Sequence, residues 1–463
     1  MRRRHLVYIL GMAMAIFLFI AGELIWLLDP IRLGGQLFWI DVIDFLVYVI
    51  AVVPLIWIAA GWWGLTAARR QWKQAGRPSG FKAIAPQLRK GAVMLFSFIT
   101  IISIVVGPLR IVLAVVVLGI SWLLVFLDMF FDEREVRKTP ARSLISLGVT
   151  GLLLVCLFMP TPYMVSYPGL TMDMSRYGQA KGGARHGNIA GVLVFQRPAF
   201  PVDWLYARFF PHYTFERTEQ LGMNISSYSD LVRQMKLDAN TVGTAVAYNR
   251  LGLGEGVIPQ GVRVMEILQE SSVKDLLRPG DVIIGLNGNV LTSVKEFNEQ
   301  MTQLIPGNEA SVTLVRDGQK ITLTAESRSN EEDPTRAMFG IAIQDDLEYD
   351  IPGTVSFHRY LVHEGGPSHG AMLALALIDQ LTPGGVTYGN TVAGTGTIRP
   401  DGTIGPVGGV RQKAYTVYRT GVDVFFVPEG AEEAARSGAP RLNVVPVKTL
   451  DDILNWLKEN PRT

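Results

Sequence analysis

The stretch Gly365-Gly366-Pro367-Ser368-His369-Gly370 leads directly into an apolar run, Ala371–Leu381. Proline suits the first turn of a helix, because its missing N–H is unpaired there anyway. Ser368 is therefore predicted beside a helix N-terminus, where backbone N–H groups are free and the dipole is positive. Such donors stabilise an oxyanion. The flanking glycines let a peptide backbone approach closely. Taken alone, a turn of this kind at a helix start is common.

Downstream lie two further pieces. Thr391-Val-Ala-Gly-Thr-Gly-Thr-Ile398 and Thr403–Val407 read as strands about a tight turn, Arg399–Gly402. Gly408-Gly409 then introduces Val410-Arg-Gln-Lys413 and a helix to about Arg419, so Lys413 falls in its first turns. A buried strand at Asp423–Val427, another near Val444–Val447 and a terminal helix Leu450–Lys458 complete a compact α/β or α+β domain, expected over 331–463. Serine is a poor nucleophile without a base in reach. Lysine, protonated at neutral pH with an ordinary pKa of about 10.4, becomes that base only if burial lowers it.

Upstream, residues 251–330 change character to short strands around one or two helices. Gly261–Ile267 alternates as a strand, Val282–Leu286 is apolar throughout, and Asn287-Gly288 and Asp317-Gly318 are hairpin turn signals. Val294–Leu304 is an amphipathic helix. This order, and most specifically Leu277-Arg-Pro-Gly-Asp-Val-Ile-Ile-Gly-Leu-Asn-Gly288, resembles a bacterial PDZ domain. The resemblance implies that a peptide adds as a strand beside Gly261–Ile267, with Ile258, Gly261, Val262 and Val264 at the binding site. The alternative is a structural spacer with an empty groove.

The order and spacing of the last region resemble the proteolytic domain of Lon proteases. The family's nucleophile motif is matched by Gly366-Pro367-Ser368-His369-Gly370, its threonine-bearing strand by Ala393-Gly-Thr-Gly-Thr-Ile398, and its lysine motif by Gly405-Pro-Val-Gly-Gly-Val-Arg-Gln-Lys413. The resemblance implies Ser368 as nucleophile and Lys413 as base. Thr395 is expected to bond the lysine, and Gly366, Pro367, His369, Gly408 and Gly409 to support the site. His369 departs from the family, which usually has alanine there, and Gly365 stands where Lon often has aspartate. The whole layout resembles membrane-anchored, PDZ-containing, Lon-like proteases, and a homo-oligomer, a hexamer, is implied by resemblance only.

The first 160 residues hold five apolar runs of membrane-spanning length, roughly Leu6–Leu28, Ile43–Trp63, Ala92–Leu109, Ile111–Phe131 and Ser143–Met159. A tight hairpin is expected at Gly107–Arg110. The first run follows Met-Arg-Arg-Arg but lacks a small-residue cleavage site, so it reads as an uncleaved helix. Arg69, Arg70, Lys73, Arg77, Lys82, Arg89 and Lys90 cluster in one connection and Arg134, Arg137, Lys138 and Arg142 in another. The other two carry one arginine each, Arg32 and Arg110. The basic connections face the cytoplasm, so everything after Pro160 is expected outside. Glu23, Asp41, Asp44 and Asp128 are placed near helix ends, within reach of the interface; a transport role would need polar groups converging mid-membrane. Residues 161–250 read as a membrane-proximal α/β linker region within the outer part. It has a strand at Asn188–Phe195, an aromatic-rich stretch Phe195–Phe215 and a helix Ser229–Arg250.

A net charge of +2 suggests no nucleic-acid partner. One cysteine, Cys156, excludes an internal disulfide and a zinc knuckle. His358, His363 and His369 read as ordinary strand and loop residues, with no metal or other cofactor expected. No GxxxxGK[ST] phosphate loop occurs, so no ATP-driven motor is expected. The expected fold is thus a five-helix membrane bundle, a PDZ-like β-rich domain and a Lon-type domain. Its expected substrates are unfolded or flexible protein segments, and its non-protein partner is membrane lipid. The competing reading is a PDZ adaptor or scaffold with an inactive Lon-like domain.

Overall fold

The computed structural model describes residues 2–31, 38–75, 81–106, 111–330, 333–360 and 365–462. The turn expected at Gly107–Arg110, His363, Arg32 and Arg77 lie outside the described residues.

Six helices open the chain: α1 (Arg2–Glu23), α2 (Trp39–Leu46), α3 (Val52–Ala75), α4 (Phe81–Val106), α5 (Ile111–Val136) and α6 (Ala141–Phe158). Among the described residues, five stretches are long and apolar enough to cross a bilayer, with α2 and α3 forming one of them. Polar side chains do converge among these helices, but toward one end. Lys90 Nζ donates to Asp128 and Asp132 at 3.1 Å, Tyr8 donates to Asp128, and Arg4 pairs with Asp132. The set joins the starts of α1 and α4 to the last turns of α5. Asp128 is fully buried and ion-paired, so it does not reach out to an interface as expected.

The outer part is built around a six-stranded sheet in the order β18-β17-β14-β3-β1-β4. Three of its strands come early: β1 (Tyr163–Asp173), β3 (Asn188–Pro198) and β4 (Thr214–Arg217). The other three come late: β14 (Thr391–Gly394), β17 (Val424–Pro428) and β18 (Val444–Val447). β14 lies parallel to both β3 and β17. Every residue of β17 is buried, as a strand covered on both faces requires. Between the early strands lie α7 (Met174–Tyr177), β2 (Gly178–Ala180) and α8 (Pro201–Phe209). Across one face run α9 (Ile225–Arg250) and α11 (Gly370–Leu381). Eleven of the twelve α11 residues are buried, so this helix is the central pillar of the core. β13 (Val355–Phe357), β15 (Thr397–Ile398), β16 (Ile404–Gly405), α12 (Val410–Tyr418), α13 (Glu432–Gly438) and α14 (Leu450–Glu459) complete the unit.

Residues 161–250 are therefore not a linker. They supply half the sheet and a core helix of the same unit as the C-terminal region. The PDZ-like module is inserted into that unit. It contains β5 (Gly256–Ile267), β6 (Val282–Leu286), β7 (Asn289–Val290), α10 (Val294–Met301), β8 (Glu309–Arg316), β9 (Gln319–Glu326), the short pair β10 (Arg328–Ser329) and β11 (Ala337–Met338), and β12 (Ile341–Asp350). Both hairpin turns have positive φ at each central residue, 50° and 84° at Asn287-Gly288 and 50° and 77° at Asp317-Gly318. This is the twist that two-residue hairpins need. The expected bounds of 251–330 and 331–463 shift accordingly. Phe339 belongs to the module's own core, Ile341 and Ile343 pack on it, and β12 is a strand of its sheet.

β12 pairs with β5 from Ile341↔Ile267 to Asp350↔Gly256. The entry and exit of the insertion thus run side by side. This pairing also corrects the peptide-binding residues. β5 has β12 on one edge and β6 on the other, with Val262 opposite both Asp345 and Ile283. Val262 and Val264 are fully buried, and a Cβ on Gly261 would meet the Ile283 carbonyl oxygen at 2.6 Å. Neither valine offers an edge for strand addition, and Ile258 is paired with Glu348 of β12. The sheet ends on β12 and β9, and the edge beside α10 is that of β12; the Val294 N–H of α10 donates to Asp345 Oδ1 at 2.6 Å.

The segment between α1 and α3 is also built into the outer unit. Trp26, Phe38, Trp39, Ile40 and Ile43 belong to its main core. Trp26 is fully buried against Phe210, Tyr213 and Tyr415. Asp29 accepts bonds from the Thr171 N–H and hydroxyl, and Arg419 Nη2 donates to the Leu27 carbonyl at 2.6 Å. Asp41 accepts from the Tyr360 hydroxyl, and Glu23 pairs with Arg197.

Candidate active site

Ser368 sits in a single 3-10 turn, Pro367–His369, which runs into α11. Pro367 occupies its first position, as the sequence predicted. The N–H groups that follow are already engaged. Gly370 N–H bonds the Pro367 carbonyl and Ala371 N–H the Gly396 carbonyl. Neither of these two N–H groups is free to serve a developing oxyanion.

Thr395 follows the end of β14, and its hydroxyl donates to the Ser368 carbonyl oxygen at 3.1 Å. Gly396 N–H donates to the same oxygen at 2.9 Å. Two bonds thus lock the Ser368 backbone onto the strand end. Lys413 rises from the first turn of α12 and its Nζ donates to Thr395 Oγ1 at 2.9 Å. The lysine is 3% exposed and has no carboxylate partner among the described residues. Burial alone pulls its pKa down to about 7.

Gly409 caps α12 with φ of 67°, and a Cβ there would meet Val194 Cγ2 at 2.8 Å. Close contact between α12 and β3 depends on that glycine. Gly408 and Gly366 face open space or ordinary contact, and nothing in the structure demands glycine at either.

His369 lines the same cleft as Ser368, yet its ring is held from the core side. Its ring nitrogens lie 3.1 Å from the Gly366 carbonyl oxygen and 2.7 Å from the Asn240 side-chain oxygen, and Tyr177 packs edge-on against it. Burial lowers its pKa to about 4, so it is neutral at pH 7. The imidazole thus fills the space between Asn240 of α9, Tyr177 of α7 and the Gly366 backbone.

Ser368 and Lys413 line one cleft of about 1060 Å3. One wall is β3, Leu193 to Pro198. β14 pairs with β3 only over Asn188–Gly191, so beyond Gly191 that edge carries no strand among the described residues. The other wall is the first half of α9, with Ile225, Tyr228, Val232 and Met235. Their spacing of three, four and three residues was readable as a helical stripe on an otherwise polar segment. Asn240 and Tyr177 had no sequence signal. Among the described residues no group of His, Cys, Asp or Glu is placed to hold a metal ion.

Comparison with known proteins finds both domain types in this order, with the PDZ match starting at α9 and stopping short of β12. Residues 224–326 match the PDZ domain family, and residues 358–459 match the Lon protease (S16) C-terminal proteolytic domain. The Lon protease of Mycoplasma genitalium is 39% identical over 116 residues, 24% of this chain and 14% of that protein. Lon protease 1 of Myxococcus xanthus is 25% identical over 173 residues, 36% of this chain and 20% of that protein. The chain thus spans a fifth or less of these relatives. Among solved structures, the PDZ domain of an SdrC-like protein from Listeria monocytogenes covers 18% of this chain and 86% of its own, at 20% identity and a TM-score of 0.17.

Proposed function

We propose that this chain, in which a PDZ domain is set into a Lon-type serine-peptidase domain beside five long apolar helices, is a membrane-anchored endopeptidase. It works without ATP and cuts unfolded or flexible protein segments outside the cytoplasmic membrane. The observation that carries this reading is Lys413: buried, lowered to about 7, and bonded through Thr395 to the backbone of Ser368.

The chemistry follows from that arrangement. Neutral Lys413 takes the Ser368 Oγ proton as Oγ attacks the peptide carbonyl. The lysinium then protonates the leaving amine, an acyl-enzyme remains, and the neutral lysine activates water for its hydrolysis. The substrate backbone pairs with the free edge of β3 along the cleft, while its side chains meet the apolar stripe of α9. A peptide end adds to the open edge of β12 facing α10, which delivers the rest of the chain at raised local concentration. The basic connections between helices support a cytoplasmic face for the helix bundle.

The test is incubation of the purified full chain with an unfolded protein beside Ser368→Ala and Lys413→Ala. Loss of substrate only with the unaltered chain is expected. Equal persistence of the substrate in all three sinks the proposal.

A further inference from the structure

We propose that the cleft acts on polypeptides held in the bilayer and cuts them about six residues beyond the membrane exit; this rests on the peptidase reading above. Three observations lead there.

The catalytic unit has no free tether. Only four residues separate the end of α6 at Phe158 from the start of β1 at Tyr163. On the other side, Trp26, Asp29 and Leu27 are fixed to the unit by ring contacts and hydrogen bonds. The cleft cannot swing away from the helix ends.

The cleft also points at those ends. Gly394, next to Thr395, lies in register with Gly191 of β3. From Gly191 the cleft wall continues to Arg197 and Pro198. Arg197 is a lining residue, and its guanidinium joins Glu23, the last residue of α1, to Asp203 of α8 in a bidentate pair at 2.8 and 2.9 Å. Six extended residues span about 20 Å. The catalytic groups therefore stand about 20 Å from the outer end of α1.

The mouth carries an apolar helix. α8 exposes Trp204, Leu205 and Phe209 at 43%, 56% and 72%, and it packs beside the end of α6, with Phe158 against Phe200. Aromatic and aliphatic side chains exposed beside a membrane helix belong at the headgroup layer. Continuity with α6 makes the bilayer interface the occupant of this patch.

A chain leaving the bilayer beside α1 would then enter the cleft extended along β3 and reach Ser368 after about six residues. Confinement at the surface favours it over a free chain, and the advantage falls as the tether lengthens.

The experiment uses the full chain in lipid vesicles. A segment first shown to be cut in a soluble unfolded protein is placed after a single apolar helix, on Gly/Ser tethers of roughly 2, 7, 25 and 50 residues. Fastest cleavage is expected near 7, with roughly a tenfold or larger drop by 50 and almost none at 2. Trp204→Glu with Phe209→Glu is expected to slow the 7-residue substrate at least about fivefold and leave the untethered segment unaffected. Equal rates from 7 to 50 residues and without a tether overturn the inference while leaving the peptidase standing, as does cleavage of the untethered segment alone. No cleavage of any substrate overturns the peptidase reading itself. If the double variant slows both substrates and halves the particle mass, a second copy covers α8 and the placement is wrong.

Discussion

Lys413 and Thr395 are joined by a 2.9 Å hydrogen bond whose direction is fixed by its neighbour. The Thr395 proton is committed to the Ser368 carbonyl, so Thr395 Oγ1 can only accept from Nζ. A neutral lysine spends one N–H on threonine and keeps its lone pair for another direction. On the proposed mechanism, Thr395 is a positioning residue for Lys413.

Replacing Thr395 by Val is expected to lower kcat/KM by about 10–100-fold. Loss of a bond to a charge-bearing group costs about 1.5–3 kcal/mol. Thr395→Ser, which keeps the oxygen, is expected to restore activity to within about threefold of the unaltered chain. Equal losses in both variants would mean that the methyl packing, not the hydroxyl, matters.

The pH response has a definite sign. Lys413 must be neutral to act, so kcat/KM is expected to rise with pH through about 7 and level off above. Stability moves with it. The folded protein holds Lys413 at about 7, whereas the unfolded chain returns it to about 10.4. Between these values the unfolded state binds more protons, so stability increases as pH rises across that window. The full penalty, about 4–5 kcal/mol at most, is present below 7. Lys413→Met is therefore expected to abolish cleavage and raise the thermal midpoint at pH 6, with the gain fading toward pH 10.

Much of this site was legible because motifs report local backbone needs. Pro367 before Ser368 and the glycine before α12 state where a helix starts, and those starts place the reactive side chains. What stayed hidden was long-range. Nothing local to Asn188–Pro198 says that its partner is β14, two hundred residues on, with a whole domain between. β12 was missed for a different reason. Ile341-Ala-Ile-Gln-Asp-Asp-Leu-Glu-Tyr-Asp350 is rich in acid and follows a polar stretch, so it read as the start of the next domain. It is stabilised as a strand by pairing with β5, not by its own composition.

That correction is testable by hydrogen exchange. A bound peptide adding to the open edge is expected to slow exchange in β12 and at the start of α10. The amides of Val262 and Val264, already inside a paired strand, should change little. New protection confined to β5 and β6 would reinstate the groove first expected.

His369 is expected to matter for stability more than for chemistry. His369→Ala removes a packed ring and two hydrogen-bond contacts from the α9–α11 contact, at a cost of roughly 2–4 kcal/mol. Activity per folded molecule should stay within about threefold, because both ring nitrogens are engaged by Gly366 and Asn240 rather than by Lys413 or Thr395. Activity loss beyond the loss of folded protein would place the imidazole in the chemistry after all.

Trp26 belongs to the helix bundle by sequence and to the outer unit by contact. Its indole fills a pocket of Phe210, Tyr213 and Tyr415, and Tyr415 lies two residues after Lys413 on α12. Trp26→Ala is expected to destabilise the outer unit by about 3–5 kcal/mol, the usual cost of emptying a large aromatic site. The effect should reach the base as well. Loosened packing around α12 admits water to Lys413, relieves its desolvation and moves the rise in kcat/KM to higher pH. Trp26→Phe, which keeps part of the volume, should fall between the two in both measurements. A pH profile unchanged in Trp26→Ala, measured on protein that remains folded, would show that the segment between α1 and α3 merely attaches the unit and does not shape its site.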